Sequence, residues 1–177
     1  MRLIDKTPKL SRRAFIVATG AAAITISSGA IINPTESWGL EVMNLKPETM
    51  RTLIQMARDI YPHDRLATRF YAAALKGHDE TAGKDAAHKA LMEDGVARLD
   101  KAAKAKHGAG YADLGWEADR VALLREIASK PFFQTIRGGL VTGLYNNPEA
   151  WPLFGYEGES ASKGGYITRG FGDIDWL

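Results

Sequence analysis

Pro47-Glu48-Thr49-Met50-Arg51-Thr52-Leu53-Ile54-Gln55-Met56-Ala57-Arg58-Asp59-Ile60-Tyr61-Pro62 is the run on which the fold class turns. Proline in a first helical turn loses no hydrogen bond, and an early acid faces the positive end of the helix dipole. Met50, Leu53, Ile54, Ala57 and Ile60/Tyr61 then recur at i, i+3, i+4, i+7 spacing, which places them in one apolar stripe. Pro62 stops the run. Such a stripe needs further helices to cover it.

The sequence on the C-terminal side supplies them. Alanine-rich Leu66 to Lys76 predicts a second, short helix. A third is predicted from about Thr81 to Lys106, with Ala87, Leu91, Met92, Val96, Leu99 and Ala103 on one side, stopped by His107-Gly108-Ala109-Gly110. Trp116 to Ser129 predicts a fourth, carrying Val121, Leu124 and Ile127/Ala128. A fifth opens at Ser129-Lys130-Pro131 and lines up Phe133, Ile136, Leu140 and Leu144. No stretch sustains period-2 alternation and no internal repeat is present. The expectation is a mainly α protein, with a helical domain of about five helices over residues 47–145.

Residues 146–177 are different. They hold six glycines and six aromatics (Trp151, Phe154, Tyr156, Tyr166, Phe171, Trp176) without helical spacing. The expectation is an extended tail that lies on a surface, either its own helices or another subunit. Aromatic side chains amid glycines suit a docking segment.

Upstream, residues 1–13 are polar and basic, and Ala14 to Ile32 is a run of 19 uncharged residues ending at Asn33-Pro34. A basic region, an apolar region and a helix-breaking end read as a signal peptide over residues 1–30, with Ala30 as cleavage candidate in Ser28-Gly29-Ala30, followed by a linker over 31–46. A helix of that length rises about 28 Å, close to the 30 Å bilayer core, so an uncleaved anchor is the competing reading. Twelve of the 19 residues are Ala, Gly, Ser or Thr, which weakens the drive for a permanent span.

Ser11-Arg12-Arg13-Ala14-Phe15-Ile16-Val17 resembles the twin-arginine motif Ser-Arg-Arg-x-Phe-Leu-Lys. Ser11, Arg12, Arg13 and Phe15 match, Ile16 is close, and Val17 stands in for the usual lysine. The resemblance implies export of a folded protein to the periplasm by the twin-arginine translocase. A general-secretion signal is the alternative.

The formal charge of +2 is a property of this leader. Residues 1–30 hold five bases and one acid, and the remainder carries 18 bases against 20 acids. No basic stripe interleaved with aromatics follows, so nucleic acid is not an expected partner. With no cysteine, disulfides, thiolate metal sites and covalently attached haem are excluded.

A catalytic framework is hard to find. His63, His78, His88 and His107 are at least ten residues apart and form no H-x-x-x-H pair. His63 beside Asp64 reads as a surface cap rather than a base. Gly108-Ala109-Gly110 follows a helix and lacks the strand–turn–helix setting of a dinucleotide loop. Gly158-Glu159-Ser160-Ala161-Ser162 lacks the final glycine of a nucleophile elbow. Asp173 and Asp175 sit one residue from the C-terminal Trp176-Leu177 and read as capping or solvated groups. Gly139-Leu140-Val141-Thr142-Gly143 lies in an amphipathic segment beside Arg137 and reads as a place where a helix or the tail approaches closely. Catalytic, cofactor-binding and metal residues are therefore not assigned. A twin-arginine leader on a chain without a cofactor signature suggests that the cofactor belongs to a partner.

Phe132-Phe133, Leu144-Tyr145-Asn146-Asn147-Pro148-Glu149-Ala150-Trp151, Phe154-Gly155-Tyr156-Glu157-Gly158, Gly164-Gly165-Tyr166 and Arg169-Gly170-Phe171-Gly172-Asp173-Ile174-Asp175-Trp176 together resemble the C-terminal pattern of the gluconate 2-dehydrogenase subunit 3 family. The likeness covers both ends of the chain and, more loosely, the helix at Pro47. It implies a non-catalytic small (gamma) subunit that stabilises and escorts a large FAD-dependent dehydrogenase subunit of the glucose–methanol–choline type. It also implies a possible cytochrome c subunit, periplasmic or membrane-associated location, and FAD in the partner alone. Tyr145, Asn147, Pro148, Trp151, Phe154, Gly155, Tyr156, Gly164, Gly165, Tyr166, Arg169, Gly170, Phe171, Asp173, Asp175 and Trp176 become the expected partner-binding residues. The alternatives are a stand-alone exported helical binding protein and a small periplasmic hydrolase using Asp173/Asp175 or His63.

Overall fold

The computed structural model describes residues 42–167. They form five α-helices: α1 (Pro47–Ile60), α2 (Thr68–Ala82), α3 (Ala86–His107), α4 (Glu117–Glu126) and α5 (Pro131–Tyr145). Short 3-10 turns lie at Tyr111–Asp113, Trp151–Phe154 and Ala161–Lys163, and no strand occurs among the described residues. The protein is mainly α.

α1 buries the face its sequence announced. Met50, Leu53, Ile54, Met56 and Ala57 join one apolar core with residues from the other four helices. Lys46, at its N-cap, gives no side-chain cap. Glu93 of α3 anchors this end instead, accepting from the Lys46 N–H at 2.9 Å and the Thr49 hydroxyl at 2.7 Å. A carboxylate there also meets the positive end of the helix dipole.

Several helix boundaries differ from the sequence expectation. α2 continues to Ala82, past Lys76, and α3 begins at Ala86 instead of Thr81. Asp85 decides the start of α3: its carboxylate accepts from the N–H groups of Ala87 (2.8 Å) and His88 (3.2 Å), an N-cap. α4 is shorter than expected, ending at Glu126, after which Ile127–Lys130 turns into α5. The stop of α3 falls where glycine was read: Gly108 takes φ 78°, and its N–H bonds the Lys104 carbonyl.

The G-x-x-x-G step of α5 faces α2. A Cβ on Gly139 would stand 2.7 Å from His78 Nε2, and one on Gly143 would stand 2.9 Å from the Ala74 backbone Cα. The absent side chains let the two helices close on each other, as the sequence suggested. On α3, Gly95 makes room in the same way for the Phe132 ring of α5, only 2.3 Å from where a Cβ would sit.

One polar network crosses this core. Asp59 of α1 receives Arg120 Nε at 2.8 Å and Nη2 at 3.0 Å, and the Tyr111 hydroxyl at 2.7 Å. Arg120 also donates to the Leu114 carbonyl. Burial and the Asp59 carboxylate push the Tyr111 phenol well above its ordinary pKa, so it stays a donor. The hydrogen bond to Asp59 raises Arg120 further, against the opposing effect of burial.

A second carboxylate fixes the way into the domain. Asp79 of α2 is buried and accepts from the backbone N–H groups of Met43 (3.1 Å), Asn44 (3.0 Å) and Leu45 (2.8 Å). Burial alone would raise its pKa; the hydrogen bonds from Leu45, Met43 and Asn44 outweigh that and lower it. Residues 43–46, placed in the linker by sequence, are thus tied to the helical body.

Candidate docking surface

The surface is built where α1 ends, α5 ends and the aromatic tail begins. Past Ile60 the chain turns at Tyr61-Pro62, and Tyr71 of α2 secures the turn. Its hydroxyl donates to the Tyr61 carbonyl at 2.7 Å and accepts from the His63 N–H at 3.2 Å. Burial raises the Tyr71 phenol above its ordinary pKa, which keeps both bonds available through the neutral range.

This turn carries His63 to the last residue of α5. His63 Nε2 lies 2.8 Å from the Tyr145 hydroxyl, and the two rings meet edge to face with centroids 5.6 Å apart. Tyr61 makes a second edge contact with Tyr145 at 6.0 Å. Desolvation first, and neighbouring Tyr61 second, raise the Tyr145 phenol, so it remains protonated beside the imidazole. His63 is therefore a member of an aromatic group rather than a surface cap.

The tail adds to this group within ten residues of leaving α5. Asn147 Oδ1 accepts from the Glu149 N–H at 3.0 Å, closing a turn that Pro148 stiffens. Ala150 is fully buried, and Leu153 packs against the core. Trp151 Nε1 donates to the Tyr145 carbonyl at 2.8 Å, capping the end of α5. Phe154 meets His63 at 5.0 Å and Tyr145 at 5.4 Å, while Tyr156 meets Trp151 at 5.2 Å. Geometry of this kind contributes about 0.5–1.5 kcal/mol per pair beyond area burial.

The tail's first half is therefore irregular and partly seated on its own helices. Gly155 closes the Trp151–Phe154 turn at φ 73°. Gly164 and Gly165, consecutive at φ 85° and 74°, reverse the chain, and the Gly165 N–H bonds the Ser160 carbonyl at 2.7 Å. These glycines shape the tail through backbone conformations that other residues rarely adopt.

Much of this aromatic surface remains open to solvent. Tyr145 is 39%, Phe154 37%, Tyr156 50% and Tyr166 70% exposed, with Ile167 beyond and Val141 one turn before Tyr145 on α5. Exposed rings with a few polar edges, Tyr145 touching Phe154 and Tyr156 touching Trp151, can receive an apolar surface and hydrogen-bond its rim. A groove alongside, lined by Ile60, Tyr61, Val121, Leu124 and Phe133, carries Arg125 and Arg137 on its flanks.

Of the residues expected to bind a partner, Tyr145, Trp151, Phe154 and Tyr156 come together here. Asn147, Pro148, Gly155, Gly164 and Gly165 form the supporting turns, and Tyr166 projects outward. Arg169, Gly170, Phe171, Asp173, Asp175 and Trp176 lie outside the described residues, as do Ser11, Arg12, Arg13, Phe15 and Ala30. His63 and Tyr61 were not foreseen as members. The tail's need for a surface was the signal, but nothing in the sequence pointed to the α1–α2 turn as that surface.

Among the described residues no group of three His, Asp or Glu side chains is placed to hold a metal ion, and no helix is long and apolar enough to cross a membrane. Comparison of the chain with protein-family models, with curated proteins and with solved structures finds no match.

Proposed function

We propose that this chain is the non-catalytic small subunit of an FAD-dependent sugar or alcohol dehydrogenase, of the gluconate 2-dehydrogenase subunit 3 kind. It binds a large glucose–methanol–choline-type flavoprotein, stabilises it, and escorts it to the periplasm through its own twin-arginine leader. A cytochrome c subunit is a further candidate member of the assembly. The observation that supports the reading is the set of solvent-facing rings Tyr145, Phe154 and Tyr156, the last two within the motif-bearing tail. A folded helical body with exposed rings on one edge is what a docking subunit requires, and interface hot spots are enriched in such residues.

The test has two parts. Tagged full-length chain, purified from its host, should bring a flavin-containing protein with it, and Phe154→Ser with Tyr156→Ser should release that protein while the far-UV circular dichroism stays unchanged. Arg12→Lys with Arg13→Lys should leave dehydrogenase activity in the cytoplasm. Normal periplasmic activity in the lysine variant would remove the escort role, and no flavoprotein in the purification would remove the subunit role.

A second reading, a stand-alone exported helical binding protein, is favoured by one observation: Ala150 and Leu153 already seat the start of the tail on its own helices. A wild-type chain that purifies without any partner supports it.

A further inference from the structure

On another face of the molecule, α3, α4 and the first turn of α5 leave a cavity of about 290 Å³ between them. Its walls are Leu91, Leu99 and Ala102 of α3, Leu123 and Ile127 at α4, and the Phe132 ring. Gly95 forms part of the floor, since any side chain there would collide with that ring. The side chains of Leu91, Leu99, Ala102, Leu123, Ile127 and Phe132 carry no donor or acceptor, so the interior they line is mainly apolar. Whatever enters must bring an apolar group and leave its polar end outside.

The mouth is charged. Arg98, Glu126 and Lys130 line it. Glu126 is already held by Lys106 at 2.5 Å. Arg98 has only a distant carboxylate, Asp94 at 4.0 Å, and Lys130 has none among the described residues. The rim therefore presents two cations in search of an anion. Size narrows the occupant further. A cavity of about 150 Å³ is enough for one benzene ring, and this one has about twice that space, more than a single aromatic side chain fills.

From these observations we infer that the cavity is a binding site for a single-chain amphiphile, an alkyl carboxylate of medium length. Its chain lies between α3 and α4, and its carboxylate meets Arg98 and Lys130. The site is independent of the flavoprotein reading and of the aromatic surface.

Titrating the full chain with sodium decanoate, below its micelle concentration, tests this by calorimetry and by the thermal midpoint. Saturable one-site binding with a raised midpoint is expected, and uncharged decanol should bind at least tenfold more weakly. Arg98→Glu with Lys130→Glu should abolish that preference, while Ala102→Phe, which fills the cavity, should abolish binding of both. Should Ala102→Phe fail to fold, Leu91→Trp fills the same space from a partly exposed position. Decanoate binding that survives the filled cavity overturns the site, as does equal affinity for decanol. Binding of 3-phenylpropionate but not decanoate also overturns it, and marks a socket for a partner's aromatic side chain instead.

Discussion

His78 Nδ1 and His88 Nε2 lie 3.2 Å apart, with ring planes parallel to within 2°. The arrangement is an N–H···N hydrogen bond, one ring donating and the other accepting, that fastens α2 to α3. The far side of the His78 ring fills the space left by Gly139 of α5. Three helices thus meet at one titratable contact.

Acid should loosen that contact. Burial, and then neighbouring His88, pull the His78 pKa below its ordinary value of 6.5. The folded chain therefore binds fewer protons here than the unfolded chain does. The associated stability is full above pH 6.5, declines as the pH falls below it, and is gone once the pH passes the lowered folded-state value. Urea midpoints measured at pH 7.5 and pH 5 should differ more in the wild type than in His78→Phe. Equal differences would contradict this account.

Asp79→Asn keeps the shape of the side chain but sets an amide against three backbone donors. A loss of about 1–3 kcal/mol is expected from weakened charge-assisted bonds and an unmatched donor. The wild-type contribution carries a pH signature of its own. Because the folded-state pKa is lowered from 3.8, it is present above that value and lost as the pH falls through the folded-state value. Amide exchange at Met43, Asn44 and Leu45 should accelerate in the variant, and unchanged exchange would count against the tie.

The Asp59–Arg120 pair is nearly buried, with side-chain exposures of 4% and 12%. Arg120→Met alone leaves a carboxylate and the Tyr111 hydroxyl without their cation, at a cost of about 3–5 kcal/mol. Asp59→Leu combined with Arg120→Met should cost less than the sum of the single changes. A denaturant double-mutant cycle measures the difference, and simple additivity would mean that the two groups do not act as a pair.

Two glycines in α5 should respond with opposite signs. Gly143→Ala drives a methyl against the Ala74 backbone and should destabilise by about 1–3 kcal/mol. Gly138→Ala meets nothing within 4 Å and should stabilise by about 0.5–1 kcal/mol through reduced chain entropy. Thermal midpoints moving in the same direction for both would show that α5 does not pack on α2 through Gly143.

Periodicity carried most of the fold because each helix has a local cause: Pro47 and Pro131 open two of them, and Gly108 closes a third. The α2–α3 break, expected between Lys76 and Thr81, falls instead at Gly83-Lys84-Asp85, because Gly77 looks like a stop yet is carried inside α2. Only Asp85, a cap without a capping box, marks the restart. The docking surface was half legible. Trp151, Phe154 and Tyr156 stand out in a glycine-rich tail just past Tyr145, but the contact of Tyr145 with His63 joins residues 82 positions apart, and no local pattern encodes such a pairing. The Asp59–Arg120 network was hidden for the same reason, since a lone arginine on a polar helix looks like a solvated one.

The grip of Asp79 on residues 43–45 also has a mechanical consequence. Any tug applied to the polypeptide ahead of Met43 is shared by three bonds gathered on a single side chain of α2, before strain reaches the first turn of α1. Whatever is fused or recruited upstream is moored to the second helix of the body, although the first follows it in the chain.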